Sequence, residues 1–488
     1  MGGSPERGDP PTDSVEWASP VRTKLVGLCL LVVGCRANAN ANANANANAN
    51  ANAPANAPAN ANANAPASAS APVAKEAACP KIDEAKLARF GDDRKILDAI
   101  VPPIVDPKTT LASFYDKVIA IARGRGTDHV RIGMYGDSNL TADAATGRMR
   151  RQLQGRFGDA GHGYVAMAQP WPWYSHNDVH HDGTWKLTAM RQIATSNRKI
   201  EDGHYGFANI ASECGVVGCS AWVSTDPQKG SPIGWTASSF DLYFAKRPDG
   251  GRFDVTIDGA EVRSIDSRAP AFEAAFERIL LPDAHHEIKV IMRGGGPVRL
   301  YGVALERVVS KEVSPSIQVD SLGTGSLNLE QLTFVKEETR RAQLERRAYD
   351  LVIIQLGTNV WGMDGDNKKN AKVFVDALRA ARPGLPVLFM SPPDSPNEDE
   401  PTKSDPRVAA LAKTFAIIAE QNDTAFWDHR AAMGGNQAIF TFAEKGLVEH
   451  DKIHMKKQGH EMMADRFLGA LWADLASYVA AHPAAGCK

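Results

Sequence analysis

The chain has 488 residues, 43% of them hydrophobic, which is enough apolar material for a sizeable core and too much length for one ordinary domain. Its 55 basic and 57 acidic residues leave a formal charge of −2, so no global field draws it to nucleic acid or to an acidic polymer. In chain order, the first informative stretch is Val21 to Cys35, where Arg22 and Lys24 precede the apolar run Leu25 to Val33, followed by Gly34 and Cys35. This reads as a secretion signal, behind a polar stretch, Met1 to Pro20, that is long for a leader. The run falls well short of the roughly 20 apolar residues that a membrane-spanning helix needs, so a transmembrane anchor is not expected.

The ending Leu31-Val32-Val33-Gly34-Cys35 resembles a bacterial lipobox, in which cleavage ahead of the cysteine leaves it carrying lipid. Residues 1–35 are then the signal and Cys35 the lipidation site, which implies a membrane-anchored lipoprotein of the cell envelope, in the periplasm or at the outer membrane. Arg36 supplies no Asp after the cysteine and leans the reading towards the outer membrane. From Ala37 to Ala71 the chain is nearly pure Ala and Asn, broken later by Pro and Ser, with nothing large and apolar to offset the entropy of ordering. Residues 36–78 are read as a disordered tether. With Cys29 lost in the signal and Cys35 lipidated, Cys79, Cys214, Cys219 and Cys487 form an even set. Two disulfides are expected in an oxidising envelope, Cys214 with Cys219 across a small loop and Cys79 with Cys487 across the ends of the folded region; four free thiols are the alternative.

Folded sequence begins near Cys79. A helical pattern over Thr109 to Ala122 leads into an apolar run, His129 to Tyr135, short enough for a buried strand, then Gly136-Asp137-Ser138, then helical spacing over Leu140 to Leu153. Strand, sharp turn, helix is the context that raises a nucleophile at the carboxyl edge of a parallel sheet. From Trp171 to Glu306 short β-rich runs, such as Ser239 to Phe244, Phe253 to Ile257, Glu287 to Met292 and Val298 to Leu305, give the rhythm of a β-sandwich. Afterwards strands at Leu351 to Gln355, Val387 to Met390 and Ala425 to Trp427 alternate with helices near Ala371 to Ala381, Arg407 to Gln421 and Gln458 to Ala480. An α/β domain with a parallel sheet, residues 79–170 and 313–488, is thus expected to be interrupted by a β-sandwich over 171–312. No phosphate loop or dinucleotide fingerprint appears, no cofactor is expected, and Gly294-Gly295-Gly296 reads as a hairpin turn.

Three clusters carry the chemistry: Gly136-Asp137-Ser138-Asn139-Leu140, Gly357-Thr358-Asn359 at a strand end, and Asp451-Lys452-Ile453-His454 ahead of the last helix. A serine hydroxyl is a weak nucleophile and needs a base; His454 can take its proton near neutral pH, and Asp451 can accept the other ring N–H and fix the tautomer. In this order the blocks resemble the SGNH, or GDSL-like, hydrolase superfamily, whose three-layer α/β/α fold the resemblance implies. The superfamily's glycine block has a candidate in Asp320-Ser321-Leu322-Gly323-Thr324-Gly325. The resemblance implies an esterase with Ser138, Asp451 and His454 as catalytic residues and the N–H groups of Ser138 and Gly323 with the Asn359 amide as the oxyanion hole. Asp137 is given no chemical step beyond shaping the turn.

Within the superfamily, Phe157-Gly158-Asp159-Ala160-Gly161-His162-Gly163-Tyr164, then Trp171-Pro172-Trp173-Tyr174, and later Tyr301-Gly302-Val303, are similar to the peptidoglycan O-acetylesterases of Gram-negative bacteria, whose insertion is carbohydrate-binding-like. That resemblance implies removal of acetyl groups from an O-acetylated polysaccharide, peptidoglycan first. Trp171, Trp173, Tyr174 and Trp185 either stack on sugar rings or pack the junction between the domains. His176, His180 and His181 lack a ligand set of recognisable spacing and read as surface or cleft histidines, so no metal is expected. The alternatives are an O-acetyltransferase using the same triad, a short-chain or lipid esterase, and a non-catalytic glycan-binding lipoprotein.

Overall fold

The structure, a computed structural model, describes residues 79–91, 100–168, 170, 174–185, 189–192, 202–360 and 364–487. The signal, the tether, Cys35, Trp171 and Trp173 lie outside them.

Five strands, Val130–Gly136, Ile317–Gly323, Leu351–Gln355, Val387–Met390 and Ala425–Trp427, form a parallel sheet. Numbered along the chain, their spatial order is 2-1-3-4-5. Near-continuous apolar runs such as Leu351-Val352-Ile353-Ile354 suit a sheet covered on both faces. Alternate residues do face two cores. Ile132, Met134, Leu351 and Ile353 pack with the helices Ala112–Ala122, Ala144–Phe157 and Lys457–Ala481, whereas Tyr135, Val352 and Ile354 pack with residues of Asp364–Ala381 and Pro406–Gln421. The result is the three-layer α/β/α arrangement that the sequence resemblance implied.

Between the first two strands of that sheet the chain builds two antiparallel sheets. One runs Glu273–Ala284, Ala237–Lys246, Val298–Glu306, Ile210–Cys214, Ala189–Gln192, with Gly163–Val165 also on Val298–Glu306; the other runs Val179–Gly183, Ser220–Thr225, Glu287–Gly294, Arg252–Ile257, Ala260–Asp266. Their first strand, Gly163–Val165, precedes the boundary expected at 171. The triple glycine corrects another expectation. Glu287–Gly294 and Val298–Glu306 belong to different sheets, so Gly294, Gly295 and Gly296, all at positive φ, cross from one sheet to the other instead of closing a hairpin. A Cβ on Gly296 would lie 2.0 Å from the Asp249 carbonyl oxygen, so only glycine makes this crossing.

Residues Glu76–Lys488 form one compact unit. Charged contacts tie the two parts of it together: Glu306, at the end of an inserted strand, accepts from Arg131 of the first parallel strand and from Arg347, which also clasps Asp320 of the second. Disulfides join Cys79 to Cys487 and Cys214 to Cys219. Among the described residues no helix is long and apolar enough to cross a membrane.

Candidate active site

The sheet register sets the level of the site. Gly136, the last residue of the strand Val130–Gly136, pairs with Gly323 on one side and Gln355 on the other, so the three following loops leave the carboxyl edge together. This first strand has the second strand on one side and the third on the other, so the chain winds from it in opposite directions, the switch point where open α/β sheets leave a crevice. Ser138 opens a single 3-10 turn, Ser138–Leu140, capped by Asp137, whose carboxylate accepts from the Asn139 N–H at 3.1 Å.

His454 arrives from the far end of the chain on a tight turn before the last helix. Asp451 Oδ1 accepts from the backbone N–H groups of Ile453 and His454, at 2.9 and 3.0 Å, while Lys452 takes a left-handed conformation. The other oxygen, Oδ2, lies 2.6 Å from His454 Nδ1. One carboxylate therefore shapes the turn and orients the ring. An ionised carboxylate only accepts, so Nδ1 carries the proton and Nε2 is left to accept from the Ser138 hydroxyl, 2.9 Å away. The His454 and Asp451 side chains keep 22% and 32% of their surface exposed, so solvent reaches them.

Burial by itself would push the His454 imidazole down, but the Asp451 hydrogen bond and charge, with Asp137 and Glu449 adding theirs, outweigh it and hold its pKa above the ordinary value. For Asp451, burial acts upward and is overcome by the hydrogen bonds from His454 and Ile453, leaving it at about 2. The pair is thus a carboxylate beside an imidazole primed to take a proton.

Gly323 ends its strand against the serine turn; a Cβ there would lie 2.5 Å from the Leu140 carbonyl carbon, so any side chain would push the two loops apart. Gly357 has φ +142° and its Cβ would meet Pro392, which explains a glycine ahead of Thr358 and Asn359. The Nδ2 of Asn359 is buried with no hydrogen-bond partner among the described residues. A buried amide donor left unpaired is costly and marks a place for an incoming acceptor.

The neighbours of Ser138 reach further than their motif suggests. Asp137 is buried, and besides capping its own turn it accepts from the Thr358 N–H at 3.3 Å, joining the serine turn to the Asn359 loop. Burial pushes its carboxyl up despite those hydrogen bonds and the nearby His454. Asn139 touches residues beside both His454 and Asn359. Neither role is visible along the chain, since each depends on residues more than 200 positions away.

Other candidates are placed differently. Tyr174 is buried, its hydroxyl accepting from the Ala166 N–H, and Trp185 is wholly buried, so both pack the interior and offer no face to a sugar. His180 is exposed and stands edge-on to Trp222. His176, expected at the surface or in a cleft, is instead buried beside His162 and Asp143, with one ligand-type atom of each within 4.8 Å of the others. The burial has a local cause: Asp143 accepts the Asn177 N–H, which pulls that segment inward. Asp143 already clasps Arg150 through two hydrogen bonds, of 2.9 and 3.1 Å, so its charge is met without an ion.

Residues 291–462 match the model of the GDSL-like lipase/acylhydrolase family. That stretch holds Gly323, Asn359, Asp451 and His454, while Ser138 lies ahead of the inserted strands. Among solved structures, a peptidoglycan O-acetylesterase is similar with a TM-score of 0.61 and 20% identity, covering 77% of this chain and 99% of the other. Two family two carbohydrate esterases are looser matches. The one from Cellvibrio japonicus has a TM-score of 0.24 at 14% identity, covering 62% of this chain and 99% of its own. The one from Clostridium thermocellum, in complex with cellohexaose, has a TM-score of 0.26 at 10% identity, covering 55% and 95%. No curated protein matches the chain.

Proposed function

Starting from the chain as a carboxylic ester hydrolase of the SGNH, GDSL-like kind, we propose that it removes O-acetyl groups from a cell-envelope polysaccharide, peptidoglycan first, with Ser138, His454 and Asp451 as its catalytic residues. The observation that carries this reading is the unbroken line from Ser138 Oγ to His454 Nε2 and from His454 Nδ1 to Asp451, 2.9 and 2.6 Å long. As Ser138 Oγ attacks the acetyl carbon, its proton passes to His454 Nε2, and the Ser138 and Gly323 N–H groups with the Asn359 amide receive the oxyanion. The imidazolium then gives that proton to the departing sugar oxygen, leaving acetyl-Ser138. Water, deprotonated by His454, attacks this ester and releases acetate, returning the proton to Ser138.

The fold likeness to a peptidoglycan O-acetylesterase, together with the signal and lipobox residues, supports the substrate and an envelope-anchored placement. The paired cysteines fit an oxidising compartment. The part-exposed His454 and Asp451 favour water over a sugar hydroxyl as the final acceptor, and so hydrolysis over acetyl transfer. The test is acetate release from O-acetylated peptidoglycan, with acetylated xylan and a chromogenic acetyl ester alongside, by wild type and Ser138→Ala. Release from the wall polymer by wild type alone is the expected result. Release from xylan or the small ester but not from the wall polymer would move the substrate, and no release from any would overturn the esterase reading.

A further inference from the structure

Asn139 is nearly buried, with 9% exposure, and its carboxamide is fully engaged by residues distant in sequence. Its Oδ1 accepts from the Met455 N–H at 3.1 Å, and its Nδ2 donates to the Ile453 carbonyl at 3.4 Å and to Thr358 Oγ1 at 3.4 Å. Ile453 and Met455 flank His454, so the side-chain amide pairs with the backbone on both sides of the base much as a strand residue would. Thr358 precedes Asn359. One residue after the nucleophile thus touches the loop of the base and the loop of the amide donor together.

The His454 turn needs such a tie. Asp451 fixes the ring within the turn, but both partners belong to the same few residues, and their bond says nothing about where the turn sits relative to Ser138. Among the described residues, besides the Ser138–His454 bond itself, the hydrogen bonds between Asn139 and the backbone of Ile453 and Met455 tie the turn to the residue next to Ser138. Only a carboxamide suits the place, since a leucine offers neither donor nor acceptor and a carboxylate cannot donate to Ile453.

We propose that Asn139 is a positioning residue that holds the His454 turn in register with Ser138 and the Asn359 loop. This rests on the reading of Ser138 and His454 as nucleophile and base, and makes their 2.9 Å contact depend on a side chain that belongs to neither.

The test is the rate at which a fluorophosphonate labels the full chain. Ser138 Oγ bonds to phosphorus, fluoride leaves with the P–F bonding pair, and His454 takes the serine proton, so the readout needs no knowledge of the natural ester. For Asn139→Ala the expected result is an inactivation rate constant lowered by about 10²-fold, the scale of a displacement near 1 Å, with the probe's binding constant within about twofold. Asn139→Asp, which keeps the acceptor for Met455, falls between Ala and wild type. A residue that only stabilises the fold would lower the melting temperature and leave the folded protein's rate constant unchanged; that outcome in either variant that folds overturns the proposal. Failure of wild type to be labelled overturns it together with the catalytic reading. Labelling of wild type with no acetate release from any glycan overturns the substrate reading and leaves the positioning role standing on the variants' rates.

Discussion

Two aspartate–histidine pairs lie close to the serine turn in sequence or in space, and they are built for opposite ends. Asp451 and His454 are 2.6 Å apart with a fifth to a third of each side chain exposed; Asp143 and His176 are 3.9 Å apart and both buried. In the first pair the carboxylate has no ion-pair partner but the histidine among the described residues, and the imidazole is held above its ordinary pKa. In the second, Arg150 claims the carboxylate, and burial drives His176 down to about 3, so it stays neutral. The same residue types therefore yield a proton acceptor or a neutral packing group, depending on water access and on what else the carboxylate serves.

The widest separation between the pairs comes from removing the group that only the first one serves. Ser138→Ala should lower kcat for ester cleavage by about 10⁶-fold, as loss of a triad nucleophile does, with an unchanged melting temperature. Asp451→Asn should cost between about 10²- and 10⁴-fold, because the amide can present an N–H where Nδ1 needs an acceptor. It should also move the pH profile. With the neutral imidazole as the proposed base, kcat/KM of wild type should rise with pH through a midpoint above 6.5; without Asp451, burial dominates and the midpoint should fall below it. A midpoint that stays put would mean that Asp451 does not set the His454 titration.

The buried pair should respond in stability instead of rate. Arg150→Met leaves the Asp143 carboxylate buried without its partner, a loss on the order of 3–5 kcal/mol. Thermal unfolding should move down by several degrees, while kcat of the molecules still folded stays within a few fold. A rate loss as large as that of Asp451→Asn would place the Asp143 group in the catalytic machinery.

How much of this was legible depended on whether a partner lay nearby in sequence. The strands Leu351–Gln355, Val387–Met390 and Ala425–Trp427 stand where their apolar runs put them, because burial on both faces leaves no other pattern. The strand Ile317–Gly323 was hidden by Gln318 and Asp320, polar residues tolerated inside because Arg347 and Tyr349 meet them. The helix Glu337–Arg347 has one apolar residue at its buried face, Leu344, and covers the rest with Thr339, Arg340, Gln343 and Arg347, so no hydrophobic stripe announced it. The chemical blocks were readable because each is short and contiguous. The burial of His176 was not, since it depends on Asp143 and Arg150, 33 and 26 positions earlier.

The smallest effect bears on the interior histidines together. Besides His176 at about 3, burial pushes His162 well down, His181 to about 4, His429 to about 3 and His460 to about 4. In the unfolded chain each takes up a proton near 6.5, whereas the folded chain refuses it until well below that, so the unfolded state binds more protons as pH falls from there. Stability should be full above about pH 6.5 and decline as pH falls towards 4, each histidine adding up to about 1.4 kcal/mol per pH unit. Replacing His176 with Gln should flatten that decline by one proton in denaturant titrations at pH 7, 6 and 5. The corresponding change at His454 should act the other way. Its raised pKa means that the folded state binds the proton more tightly, so its contribution is full below 6.5 and is lost as pH rises through the folded value. Opposite slopes from two aspartate-linked histidines would be the direct measure of how burial divides their roles; equal slopes would show that His176 is protonated in the fold and shares the carboxylate after all.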